Sequence, residues 1–123
     1  MEKRKNLLSK DEKTVEMAML LDFYGELLSE GQRQAMEYFY GEDLSLGEIA
    51  QIAGIMRQGV RDRIVKGEKA LAEIEDRLGL VARFSEQRLM LEKTADRLED
   101  LKKHCPGQDE KIDQIVSMIE SLL

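Results

Sequence analysis

The sequence predicts an all-α protein, a helical core followed by a C-terminal helical hairpin. Three observations carry this. The 123 residues include one proline and only 5% aromatics, against 36% charged residues, with Leu, Glu, Lys and Met abundant, a composition that favours helix. Apolar residues recur every three or four positions in successive segments, and the alternation of a half-buried strand is nowhere found. Three serines stand three residues before a Glu or Gln, the pattern of a capping box that opens a helix.

Taken in order, Ser9-Lys10-Asp11-Glu12 opens a first helix whose apolar side is read as Val15, Met19, Leu20, Phe23, Tyr24 and Leu27. Ser29-Glu30-Gly31-Gln32 opens a second, burying Ala35, Met36, Phe39 and Tyr40, and Gly41-Glu42-Asp43 is a loop. Ser45-Leu46-Gly47-Glu48 opens a third, with Ile49, Ala50 and Ile52 turned inward. A three-residue turn centred on Gly54 follows, where a left-handed backbone suits glycine. A long fourth helix carries Val60, Ile64, Leu71, Ile74 and Leu78 on one stripe, with Gly67 beside it and Gly79 as the terminating cap. A fifth helix runs from about Ser85 to Lys103 with Phe84, Leu91, Leu98 and Leu101 on one side. His104-Cys105-Pro106-Gly107 breaks it. The last helix, from about Asp109, has Ile112, Ile115, Val116, Ile119, Leu122 and Leu123 at amphipathic spacing. The expected organisation is a core over residues 1–82 and an extension over 83–123. The extension either belongs to the same compact domain or acts as a dimerisation element, since its apolar stripes are too continuous to leave in water and Phe84, Leu91 and Leu98 form a heptad-like run.

The third and fourth helices and their turn have the layout of a helix-turn-helix, whose second helix is shaped for a DNA major groove. Ala50 is small where the two helices approach, and Ile49, Ile55, Val60 and Ile64 fill the space between them. The candidate nucleic-acid-binding residues are Arg57, Gln58 and Arg61, with Arg63 and Lys66 nearer the flank, because arginine and glutamine read guanine and adenine edges bidentately. Asp62 lies among them and would repel phosphate. Met56 opens the second helix where Ser, Thr or Asp normally caps it, at a cost of about 1 kcal/mol relative to serine.

The net charge is −6, which argues against nonspecific coating of nucleic acid, a process that runs on clustered Lys and Arg. From Arg57 to Lys69, however, five cations face two carboxylates, a local +3. No apolar run is long enough to cross a bilayer, and the basic start Met1-Glu2-Lys3-Arg4-Lys5-Asn6 is not followed by a signal-type apolar stretch. One cysteine forms no internal disulfide. A cytoplasmic protein is expected.

Several segments together resemble the YlxM-type family of small bacterial helix-turn-helix proteins, whose genes lie in the operon of the signal recognition particle GTPase. They are Leu28-Ser29-Glu30-Gly31-Gln32-Arg33, Tyr38-Phe39-Tyr40, Leu44-Ser45-Leu46-Gly47-Glu48-Ile49-Ala50, Arg57-Gln58-Gly59-Val60-Arg61-Asp62, Lys69-Ala70-Leu71 and Leu78-Gly79-Leu80-Val81. The resemblance covers Leu20 to Phe84. Glu48-Ile49-Ala50 through Gly54-Ile55 to Val60-Arg61-Asp62-Arg63-Ile64 is also similar to region four of sigma factors, which binds promoter DNA and core polymerase; a complete sigma factor, with a promoter-melting domain, is not expected. The resemblance implies a sigma-region-four-like core with a helical extension, often dimeric. It also implies a regulator acting with the signal recognition particle and linked to nucleic acid and to the particle's own protein and RNA. Met56 stands where the family usually has serine, Gly31 where Lys or Arg is common, and Gly59 where alanine is usual.

His104 beside Cys105 lacks the further His or Cys that a metal site needs, and adjacent residues rarely face each other as a nucleophile and base do. Neither an enzyme, nor a metal, nor a cofactor is expected. Three functions follow: a non-catalytic regulator around the signal recognition particle that contacts DNA or the particle's RNA and its GTPase, a dimeric transcriptional regulator reading a DNA operator, and a protein-interaction module using the terminal helices.

Overall fold

The computed structural model describes residues 10–123, so the capping box expected at Ser9 and the basic start lie outside the described residues. Among the described residues there are six α-helices and no strand: α1 Lys10–Tyr24, α2 Glu30–Met36, α3 Leu46–Ala53, α4 Arg57–Leu78, α5 Leu80–Lys102 and α6 Asp109–Glu120. They form two compact units, the first ending at Val81 and the second spanning Ala82–Leu123.

In the first unit α1 carries apolar residues on every side, so periodicity alone does not choose its inner face. Met17, Leu20 and Tyr24 are buried with Leu28 beyond the helix, whereas Val15, Phe23 and Leu27, expected inside, are exposed. The Tyr24 hydroxyl decides the orientation. It donates to Glu75 Oε1 and accepts from Leu80 N at 3.2 Å, and Glu75 Oε1 also accepts from Val81 N at 3.1 Å. Two amides at the start of α5, which have no partner within their own helix, are therefore satisfied from α1 and α4. That is why α5 begins directly after Gly79 (φ 63°) rather than at Ser85.

Ser29 Oγ accepts from Gln32 N at 3.3 Å and starts α2. The helix continues through a π-helical turn, Glu37–Gly41, into what the sequence marks as loop. The widened turn packs Phe39 edge-on against Tyr40, with centroids 4.9 Å apart. Tyr40 is buried, and its hydroxyl donates to Glu68 Oε2 at 2.8 Å; Lys13 Nζ pairs with the same oxygen at 3.1 Å. Burial, and then the Glu68 carboxylate, raise the Tyr40 phenol above its ordinary pKa.

Helices α2 and α4 cross closely at Gly67. A Cβ there would lie 2.9 Å from Met36 Cγ and 3.2 Å from Sδ, and Met36 is fully buried. Around this crossing Ala35, Ile49, Ala50, Val60, Ile64 and Leu71 complete the core. Leu78, expected on the same stripe, is exposed.

In the second unit α5 and α6 form an antiparallel hairpin, as expected. Lys102 Nζ pairs with Asp113 and, at 3.2 Å, with Glu99; Arg88 Nη1 donates to Leu123 O at 2.8 Å. Hydrogen bonding to Asp113 and then Glu99 raises the Lys102 pKa. Ile112 and Val116 are buried, and Leu91, Leu98 and Ile119 are half-buried. Phe84, Leu101, Ile115, Leu122 and Leu123 are exposed although their spacing placed them inside. A two-helix hairpin offers one seam, so each helix buries only a narrow stripe.

Candidate nucleic-acid interface

The helix-turn-helix forms where the sequence places it. Ser45 Oγ accepts from Glu48 N at 3.1 Å and Glu48 Oε1 accepts from Ser45 N at 3.0 Å, a complete capping box at the start of α3. Gly54 ends α3 in the left-handed region (φ 69°), and both its own N–H and that of Ile55 reach Ala50 O, at 2.9 and 3.2 Å. The turn runs Gly54-Ile55-Met56, so glycine opens it rather than sitting at its centre. Ile49, Ala50, Val60 and Ile64 are buried between the two helices. Ile52, expected there too, is 57% exposed. It walls a shallow cleft with Tyr38, Ala53, Ile55 and Arg63.

Met56 has the extended backbone of a helix cap (φ −78°, ψ 156°) but makes no side-chain cap bond. The first amides of α4 thus lack the hydroxyl or carboxylate partner that a serine or aspartate would give.

The structure distributes the five candidate residues over more than one face. Arg57, Gln58, Arg61 and Lys66 are exposed, and Arg63 is half-buried. Successive helical residues turn by about 100°, so Arg63 lies about 200° around α4 from Arg61. Its guanidinium sits over Gly31 at the start of α2, where an added Cβ would come within 3.2 Å of Arg63 Cζ. Arg57 and Arg61 lie on the α3 side: Arg57 against Gly47, and Arg61 in a cleft with Lys13, Leu46 and Val65. Gln58 and Lys66 look outward. Gln58 Nε2 donates to Asp62 Oδ1 at 3.1 Å, which engages both its amide and the acidic group that the sequence flags as repulsive.

Among the described residues none of Arg57, Arg61, Arg63, Lys66 and Lys69 is in an ion pair. Lys69 was not among the sequence candidates. It is exposed and stands eleven residues, about three helical turns, after Gln58, a spacing that could have found it. Lys13 carries no such signal, because only tertiary folding brings it beside Arg61. Its charge is engaged by Glu68. Cys105 is a half-buried free thiol; among the described residues no group of three or more His, Cys, Asp or Glu could hold a metal ion, and no helix is long and apolar enough to cross a membrane.

The chain is similar to a family whose description carries the same motif. The profile of the UPF0122 family, "Putative helix-turn-helix protein, YlxM / p13 like", matches residues 11–115. A UPF0122 protein of Bacillus mycoides (strain KBAB4) is 40% identical over 111 residues, 90% of this chain and 97% of the relative. One of Acetivibrio thermocellus is 42% identical over 91 residues, 74% of this chain and 75% of the relative. One of Desulforamulus reducens is 48% identical over 69 residues, 56% of this chain and 59% of the relative. The match extends well beyond α3 and α4, and this chain belongs to the UPF0122 family of YlxM/p13-like helix-turn-helix proteins.

Proposed function

We propose that the chain is a non-catalytic regulatory protein that seats α4 in the major groove of duplex DNA. The observation that carries this is the row of exposed cations along α4, with Arg57 and Arg61 at its α3 edge, Lys69 facing outward and Lys66 about 140° around the helix from Arg61, none of them in an ion pair among the described residues. Arg57 and Arg61 meet the phosphates beside α3, and Lys66 and Lys69 extend the contact along the helix. Gln58 reads a base edge on release from Asp62. Arg63, turned toward α2, is assigned no contact in this docking. The major groove of B-form DNA admits a helix, whereas that of paired RNA is too narrow. The connection to the signal recognition particle rests on the YlxM-type resemblance, and the regulatory role is exerted there, in the cytoplasm.

The test is fluorescence anisotropy of the full chain with duplex DNA, with the particle's RNA and with its GTPase, each over a salt series. Duplex affinity should fall steeply with salt. As phosphate contacts, Arg57→Ala and Arg61→Ala should each weaken it about equally for any duplex sequence and make the salt slope shallower by about 0.9. If neither change alters duplex affinity, the basic-face reading fails. Binding to the GTPase alone, insensitive to both changes, would make the motif a scaffold.

A specific observation favours a second element, homodimerisation through the hairpin. Helix α5 buries none of its 23 residues, and Met90, Leu101, Met118 and Leu122 are exposed. Light scattering of the full chain should give a dimer that Met118→Glu with Leu122→Glu converts to a monomer; a monomeric parent chain refutes it.

A further inference from the structure

Gly47 occupies the second helical position of α3 without a backbone reason to be glycine, because positive φ among the glycines is confined to Gly54, Gly79 and Gly107. What its missing side chain provides is room. A Cβ on Gly47 would lie 2.9 Å from Arg57 Nη2, 3.1 Å from Nε and 3.2 Å from Cζ. The guanidinium therefore rests where a methyl group would be. The carboxylate of the next residue, Glu48, accepts from Ser45 N at 3.0 Å in the capping box.

We infer that Gly47 is a positioning residue for nucleic-acid contact: by leaving its first turn bare, it seats the Arg57 guanidinium at the edge shared by α3 and α4, aimed at a phosphate of a duplex lying on α4. The inference rests on the duplex-binding reading above and deepens it. A guanidinium on an exposed helix otherwise samples many rotamers, and the seat removes part of the ordering cost of binding. Gly31 supplies an internal comparison. It stands at the same second position of α2 and seats Arg63 in the same manner, with contacts of 3.2 to 3.3 Å, but on the side of α4 turned away from the docked duplex.

In both seats the obstructed atoms are the far end of an exposed or half-exposed side chain, so an added methyl group displaces the arginine rather than the helices. Alanine also favours helix over glycine. Stability and binding should consequently move in opposite directions, which a merely structural glycine cannot produce.

The experiment uses the full chain and a random-sequence duplex DNA of about two helical turns, with affinity over a salt series and thermal melting for each variant. Gly47→Ala should melt no lower than the parent and bind roughly 3–10-fold more weakly, and its salt slope should be shallower by about 0.9, the share of one phosphate. Arg57→Ala should do the same, and Gly47→Ala should add nothing in its presence. Gly31→Ala should leave affinity within about twofold of the parent. If Arg57→Ala weakens binding and Gly47→Ala does not, the seat is refuted while duplex binding stands. A Gly47→Ala chain that loses stability and affinity together also refutes it. If the parent chain does not bind the duplex, or Arg57→Ala and Arg61→Ala both bind as the parent does, duplex binding and the seat fall together.

Discussion

Gly67→Ala should destabilise the protein, against the usual effect of that change in a helix. Replacing glycine by alanine in a helix interior ordinarily stabilises by about 1 kcal/mol. Here the new Cβ would stand 2.9 Å from Met36 Cγ and 3.2 Å from Sδ, well inside the ~3.5–4.0 Å at which carbon atoms pack best. Relief requires a shift of roughly 0.6 Å or more. Met36 is fully buried beneath α4, so the shift must come from a strained rotamer or from parting α2 and α4. Overpacking of this kind costs about 1–3 kcal/mol. Set against the propensity gain, the net loss is about 1 kcal/mol. Urea unfolding followed by circular dichroism measures it as a lower midpoint with unchanged slope. The decisive comparison is the same substitution in a Met36→Ala background. There the thioether is gone, Gly67→Ala fills part of the space, and its sign should reverse, giving a coupling of at least about 1 kcal/mol between the two sites. If Gly67→Ala raises the midpoint while Met36 is present, α2 and α4 do not cross as closely as described.

Met56→Ser should stabilise the chain by about 1 kcal/mol, because the backbone there already has cap geometry and lacks only the hydroxyl; an unchanged unfolding midpoint would count against a free first turn of α4. Tyr40 keeps its proton more tightly folded than unfolded, its pKa being raised above 10.0 by burial and by Glu68. The stability this contributes is complete below about pH 10 and is lost as pH rises from there through the folded value. Tyr40→Phe should cost about 1 kcal/mol at neutral pH and flatten the alkaline decline; a decline as steep as the parent's would assign it to other groups. Glu75→Ala removes the acceptor of Val81 N and the partner of the Tyr24 hydroxyl. Amide exchange at Leu80 and Val81 should accelerate while the amides of Ile49 and Ala50 keep their protection; uniform acceleration would mean that Glu75 holds the whole unit rather than the start of α5.

The helix-turn-helix is legible in the sequence because its signals are local. Ser45 and Glu48 satisfy each other within one turn, Gly54 supplies the left-handed residue, and Ile49, Ala50, Val60 and Ile64 follow from the 3.6-residue period. Helix α1 is not, because its apolar residues surround it. Its inner face is chosen by a hydrogen bond from Tyr24 to a carboxylate 51 residues away. The start of α5 escaped for a related reason. A search for Ser, Thr or Asp before a helix looks for a cap on the same segment, whereas Leu80 and Val81 are satisfied from α1 and α4. In the candidate interface the residue types were legible and their directions were not. Arg57, Arg61 and Arg63 read as one cluster along the chain. Helical geometry separates Arg63 from Arg61, and Gly31, an apparent loss of a basic residue, turns out to be where Arg63 rests.

The charge distribution ties the duplex reading to the dimer. The chain carries −6 overall, while Arg57, Arg61, Lys66 and Lys69 are exposed along α4 with Asp62 already engaged by Gln58. Screening confines such a patch to phosphates within about 8–10 Å at physiological salt, so the acidic remainder neither helps nor cancels it once contact is made. Four cations offset by one carboxylate neutralise about three phosphates, for a salt slope near −2.7 for one copy. That is a modest grip, and a lone copy would hold DNA weakly at cellular salt. A dimer in which both α4 helices engage one duplex would double the slope to about −5.4. The slope measured with the parent chain therefore reports the assembly as well as the contact. A value near the larger figure that drops to the smaller one in the Met118→Glu, Leu122→Glu variant would join the two halves of the proposal. A slope of the larger size that survives in that monomeric variant would require cations beyond α4.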